Sequence, residues 1–112
     1  MMWLYDNISR DEFEKKKDYV EQIMCELGAV ELNIDLPYPH SQRPVFQFNN
    51  EYYRVNGIAF ENKPFIVIEC GTYDELMKNI MEDADPFPYD LSDDEIKNEV
   101  KYSLEVEPYP AP

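Results

Sequence analysis

Val45-Phe46-Gln47-Phe48-Asn49-Asn50-Glu51-Tyr52-Tyr53-Arg54-Val55 decides the fold of this chain. Two segments rich in β-branched and aromatic residues flank an Asn-Asn pair, the composition of two strands joined by a turn. Neighbouring strand residues face opposite ways, so one of Tyr52 and Tyr53 packs inward while the other is available at the surface. Upstream, Val30, Leu32, Ile34 and Leu36 alternate with Glu31, Asn33 and Asp35, the pattern of a half-buried strand. Pro37-Tyr38-Pro39 breaks it, and a loop runs through Arg43-Pro44. Downstream, Asn56-Gly57 is either a tight hairpin turn or a bulge in a longer strand ending near Phe60. Glu61-Asn62-Lys63-Pro64 is a turn, and the apolar run Phe65-Ile66-Val67-Ile68 predicts a central strand buried on both faces.

Helices bracket this β region. Ser9-Arg10-Asp11-Glu12 is a capping box, with Ile8 and Phe13 placed as a hydrophobic staple. Phe13, Val20, Ile23, Met24 and Leu27 follow at helical spacing and Gly28 supplies a left-handed stop, predicting a helix over Arg10 to Leu27. Thr72-Tyr73-Asp74-Glu75 repeats the box before Leu76, Met77, Ile80 and Met81, predicting a helix over Tyr73 to Asp83, with Pro86 ending anything that continues. Ser92-Asp93-Asp94-Glu95 is the third box, and Ile96, Val100 and Leu104 predict a helix over Asp93 to Leu104. Short connections between four strands imply an antiparallel meander. The expected fold is therefore one α+β domain over residues 1–106: an N-terminal helix, a meander of about four strands, and two C-terminal helices packed on the sheet. Residues 107–112, Glu-Pro-Tyr-Pro-Ala-Pro, form a proline-rich tail.

The 112 residues are 44% hydrophobic and 14% aromatic, enough to fill one core and too few for two. They also carry 24 acids against 10 bases, a formal charge of −14. Such a field keeps a protein soluble and monomeric, and it speeds encounter with cations by roughly 10- to 1000-fold at low salt. Nucleic acid and anionic membrane surfaces are poor direct partners for it, and a basic protein is a good one. No stretch is long and apolar enough to span a membrane, and the first residues lack a signal peptide's basic and apolar regions, so a cytoplasmic location is expected. Cys25 and Cys70 lie in apolar surroundings and are expected as free thiols in the core, although a bridge between them stays open.

The equipment for catalysis is sparse. His40 is the single histidine, in a proline-flanked loop with no acid or nucleophile at a catalytic spacing. Three glycines, Gly28, Gly57 and Gly71, build no phosphate loop, and the Cys and His clusters of zinc sites are absent. No cofactor is implied.

Residues 82–95 hold Glu82, Asp83, Asp85, Asp90, Asp93, Asp94 and Glu95 without a base. Their spacing matches no calcium-binding loop, and Asp93, Asp94 and Glu95 also serve the start of a helix. A solvated acidic surface is the plain alternative. What favours docking is Pro86-Phe87-Pro88-Tyr89-Asp90-Leu91, which sets two aromatics in a stiff loop amid the acids. Aromatic side chains anchor protein interfaces, and surrounding charge steers a cationic partner towards them. Core closure is the competing role for Phe87 and Tyr89. The predicted partner-binding residues are Glu82, Asp83, Asp85, Phe87, Tyr89, Asp90, Asp93, Asp94 and Glu95.

A capped helix, a short meander ending in Phe65-Ile66-Val67-Ile68-Glu69, and the acidic stretch Glu82 to Leu91 together resemble small bacterial immunity proteins of contact-dependent and polymorphic toxin systems. The resemblance spans most of the chain in architecture, length and charge. It implies a cytosolic antitoxin that binds one cognate toxin domain, often a nuclease, and blocks its active site; no residue roles carry over. Two other classes fit the same charge: a phage-type acidic mimic of nucleic acid directed at a host defence enzyme, and a small carboxylate-rich metal-binding module.

Overall fold

The computed structural model describes residues 10–38, 44–60, 63–81 and 83–106. Helix α1 spans Arg10–Glu26 and ends where Gly28 takes a positive φ of 112°, which lets the Ala29 amide reach the Met24 carbonyl at 2.9 Å. Its Ser9 cap lies outside the described residues. Five strands follow in a single antiparallel sheet whose spatial order is the chain order: β1 (Val30–Leu32), β2 (Val45–Phe48), β3 (Glu51–Phe60), β4 (Lys63–Gly71) and β5 (Asp83–Pro88). Helix α2 (Tyr73–Lys78) bridges β4 to β5, and α3 (Asp93–Leu104) closes the chain.

The hairpin at Asn49-Asn50 forms with both residues at positive φ, 50° and 66°, and Phe48 pairs with Glu51. Two left-handed residues in a two-residue loop match the twist of the flanking strands, and asparagine tolerates that region better than most residues. Asn56-Gly57 is neither a turn nor a bulge. Both residues pair in register within β3, Asn56 with Val67 and Gly57 with Ile66. The glycine is there for another reason: a Cβ at Gly57 would lie 2.5 Å from Cε2 of Phe13, so the missing side chain seats the α1 ring on the sheet.

The register sorts the strand residues onto two faces. Phe46, Tyr53, Val55, Ile66, Ile68 and Phe87 share one face with the apolar stripes of α1 and α3, forming the main core with Phe13, Val20, Met24, Ile96, Val100 and Leu104. Val45 and Tyr52 face the other way, into a smaller cluster with Leu76, Met81 and half-buried Leu32, Ile34 and Leu36. Helices therefore cover both faces, α1 and α3 on one and α2 on part of the other. Beside α2, Arg54 is 8% exposed and ties the elements together: its Nη1 donates to the Tyr38 hydroxyl at 3.0 Å, its Nη2 to Asn79 Oδ1 at 3.1 Å, and its Nε lies 3.5 Å from Glu69 Oε1.

Four further expectations change. The alternating segment pairs as a strand only over Val30–Leu32; Ile34 and Leu36 keep their inward alternation without a ladder partner. The second helix stops at Lys78, because Asn79 adopts φ 57° as a left-handed cap. That turn frees 83–88 to pair with β4 as a fifth strand, with Asp83 opposite Cys70 and Phe87 opposite Ile66. Cys25 is exposed rather than in the core, and both cysteines are free. The third helix and the Val45–Phe48 strand have their expected limits.

Candidate partner-binding site

The fifth strand divides the predicted acidic segment. Side chains of Asp83 and Asp85 point to the α3 side of the sheet, along with Phe87, while Ala84, Pro86 and Pro88 point to the opposite side. Phe87 is 2% exposed and belongs to the main core, so it cannot anchor a partner. Tyr89 is half-buried and packs on that core as well. Asp90 is exposed in the turn after β5, and Asp93, Asp94 and Glu95 form the first turn of α3, at the far end of the strand from Asp83. Glu95 has a fixed local role. Its own amide donates to Ser92 Oγ at 3.2 Å; its Oε1 accepts from the Ser92 amide at 3.0 Å, and that bond, then the Ser92 side chain, hold its carboxyl below the usual range. Glu82 lies outside the described residues.

Asp83 and Asp85 instead open onto a pocket of 390 Å³ between β5, the ends of β3 and β4, and the last turn of α3. Glu51, Cys70, Tyr102, Ser103 and Glu105 complete its polar lining, with Ile68 and Ala84 also bordering it. Among the described residues four carboxyl groups line it and no lysine or arginine does. The Ser103 hydroxyl donates to Asp85 Oδ2 at 2.6 Å, tying α3 to β5. Glu99, one turn earlier on α3, also hydrogen-bonds Asp85; partial burial, then the neighbouring Asp85 charge, push the Glu99 carboxyl above its ordinary value. On the opposite wall Glu51 Oε2 accepts from Cys70 Sγ at 2.9 Å and from the Tyr53 hydroxyl at 3.2 Å.

This arrangement suits attraction of a cation and not thiol chemistry. Burial, with the Glu51 hydrogen bond, pushes the Cys70 thiol up to about 12, so it remains protonated and a poor nucleophile at neutral pH. Burial likewise pushes the Tyr53 phenol far above its ordinary value. Among the described residues no three His, Cys, Asp or Glu side chains converge as ligands for a metal ion. His40 lies outside the described residues. No described helix is long and apolar enough to cross a membrane.

The sequence reading names Asp83 and Asp85, which line this pocket, but not Glu51, Cys70, Glu99, Ser103 and Glu105, which only the fold brings to them. One signal was present. The alternation of Asp83, Asp85 and Phe87 with Ala84, Pro86 and Pro88 is a strand pattern, hidden by reading the preceding helix one turn too far. No protein-family model, curated protein or solved structure matches the chain.

Proposed function

We propose that this protein is a non-catalytic inhibitor of the immunity type, which neutralises a cognate toxin domain with a basic surface, such as a nuclease, in the cytosol. The observation that carries the proposal is the pocket between β5 and α3, where Glu51, Asp83, Asp85 and Glu105 gather with no base among the described residues that line it. A lysine or arginine side chain of a partner supplies that missing charge. Charge elsewhere reinforces it, since residues 61–112 hold 14 acids against 4 bases and so direct the field of the molecule towards this half. Such a field raises the association rate of a cationic partner more than it slows dissociation. The two thiols are free, as a reducing compartment requires.

The test is co-purification of the tagged protein at low salt, followed by co-expression of whatever basic domain is recovered. The expected outcome is a domain that arrests growth alone, is silenced by the wild-type protein, and is silenced poorly by an Asp83→Asn/Glu105→Gln variant. A DNA-binding defence enzyme recovered in its place would move the assignment to a nucleic-acid mimic. A growth-arresting domain silenced equally by the variant would contradict the role given to the pocket.

A further inference from the structure

The two edges of the sheet are built differently. At one edge β5 carries Pro86 and Pro88, whereas β1 and the residues that continue it, 30–36, hold no proline and no glycine. Only Val30–Leu32 pair with β2. Beyond them the strand alternation persists, with Leu32, Ile34 and Leu36 half-buried and Glu31, Asn33 and Asp35 exposed, until the chain bends at Pro37-Tyr38. Among the described residues no strand lies outside β1, and no backbone hydrogen bond engages 33–36. The segment is nevertheless fixed. β2 holds its start, and Leu32, Ile34 and Leu36 pack on Val45, Leu76 and Met81. Just past its end the Tyr38 hydroxyl donates to the Leu76 carbonyl and accepts from Arg54. A backbone whose polar groups want partners is thus held in strand form with its outer edge open.

We infer that 30–36 is a docking edge, to which a basic amphipathic strand of another protein adds antiparallel to β1. In such an addition main-chain hydrogen bonds give affinity and alternate side chains give selection. Lysines or arginines of the added strand fall opposite Glu31, Asn33 and Asp35. Apolar residues between them continue the row that begins at Val30, which is 59% exposed. No ion pair among the described residues engages Glu31 or Asp35, so both charges are open to the partner. Opposite charges facing each other across a strand pair stabilise it, and like charges destabilise it. The same rule disfavours a second copy of this chain. In an antiparallel self-pair centred on Asn33, Glu31 stands opposite Asp35 of the other copy, between two molecules of charge −14 each. Because the edge is already extended and packed from beneath, little ordering remains for binding to impose on it. β2, β3 and β4 separate this edge from β5 and its acidic pocket, so the two surfaces are independent.

The test is a ¹H–¹⁵N NMR titration of the full chain with acetyl-Val-Lys-Val-Lys-Val-Lys-Val-amide, which in antiparallel register sets a lysine opposite each of Asp35, Asn33 and Glu31. The same peptide with Glu in place of Lys is the control. Saturable shifts at the amides of 31–36, with slowed hydrogen exchange at alternate amides there, are the expected result. Both charged side chains are exposed, so Glu31→Lys with Asp35→Lys keeps the fold. Affinity read at the 31–36 amides is expected to fall about tenfold for the lysine peptide in that variant, and the glutamate peptide becomes the tighter binder. Shifts confined to Cys70 and Asp83, unchanged exchange at 31–36, or equal affinity in the charge-reversed variant would overturn the edge and leave the pocket standing. Exchange at 31–36 that slows with protein concentration, without peptide, would overturn the choice of occupant in favour of a second copy.

Discussion

Gly57 and Glu99 are the two residues whose replacement isolates a single physical effect. At Gly57 a new Cβ would come within 2.5 Å and 2.8 Å of the Phe13 ring, which is 4% exposed and hemmed in by the main core. Gly57→Ala is therefore expected to lower stability by about 1–3 kcal/mol, the usual range for overpacking, as read from the denaturant midpoint. Glu99 acts through charge. Its folded-state pKa lies above its ordinary value, so the folded protein binds more protons than the unfolded chain between the two. Its charge therefore opposes folding as pH rises through that window, and the effect is absent at lower pH. Glu99→Gln keeps a donor for Asp85 and removes the charge. It is expected to raise stability at pH 7 by about 0.5 kcal/mol, a value discounted for solvent screening, and to change nothing below the ordinary glutamate range. A thermal melt series across pH checks both limits. Neither effect could be read from the sequence, since Gly57 read there as a turn or bulge residue and Glu99 met Asp85 only after β5 and α3 packed.

The starts of α2 and α3 were legible because a capping box is local: Thr72 and Ser92 each form the reciprocal bonds that their four-residue motifs announce. Helix ends were less legible. Gly28 announced one, but Asn79 ended α2 in a left-handed conformation that glycine more commonly supplies, and its side chain is also held by Arg54 from another element. With α2 ended at Asn79, residues 83–88 pair with β4 as β5, and Asp83 and Asp85 take their places in the candidate site. As an edge strand, β5 is guarded by its own composition. Pro86 and Pro88 alternate along it, and a proline in a strand belongs where its nitrogen is turned to the free edge, so the ladder with β4 is spared and donors are denied to another chain. Replacing both, Pro86→Val with Pro88→Val, restores two outward donors at a β-favouring side chain. Concentration-dependent self-association in sedimentation velocity is the expected outcome, against a wild type that stays monomeric under the same conditions.

At the level of the whole molecule, the α+β architecture followed from hydrophobic period and turn chemistry, whereas the distribution of helices over both faces did not. The smaller cluster around Leu76 and Val45 joins residues from three distant segments and has no local signature. Charge was visible in composition, but its focus was not. The acids of 82–95 look like one run in sequence and fall at two ends of β5 in space, with Asp83 and Asp85 in the pocket and Asp93, Asp94 and Glu95 at the start of α3. Cation binding belongs, in our proposal, to the first group, and a titration with acetyl-lysine-methylamide at low salt, followed by ¹H–¹⁵N NMR, tests this most directly. Saturable shifts confined to the amides of Cys70, Asp83, Asp85 and Ser103, weakened about tenfold by Asp83→Asn with Glu105→Gln, are the predicted result. Shifts that never saturate, or that are as large at Asp93, Asp94 and Glu95, would contradict it.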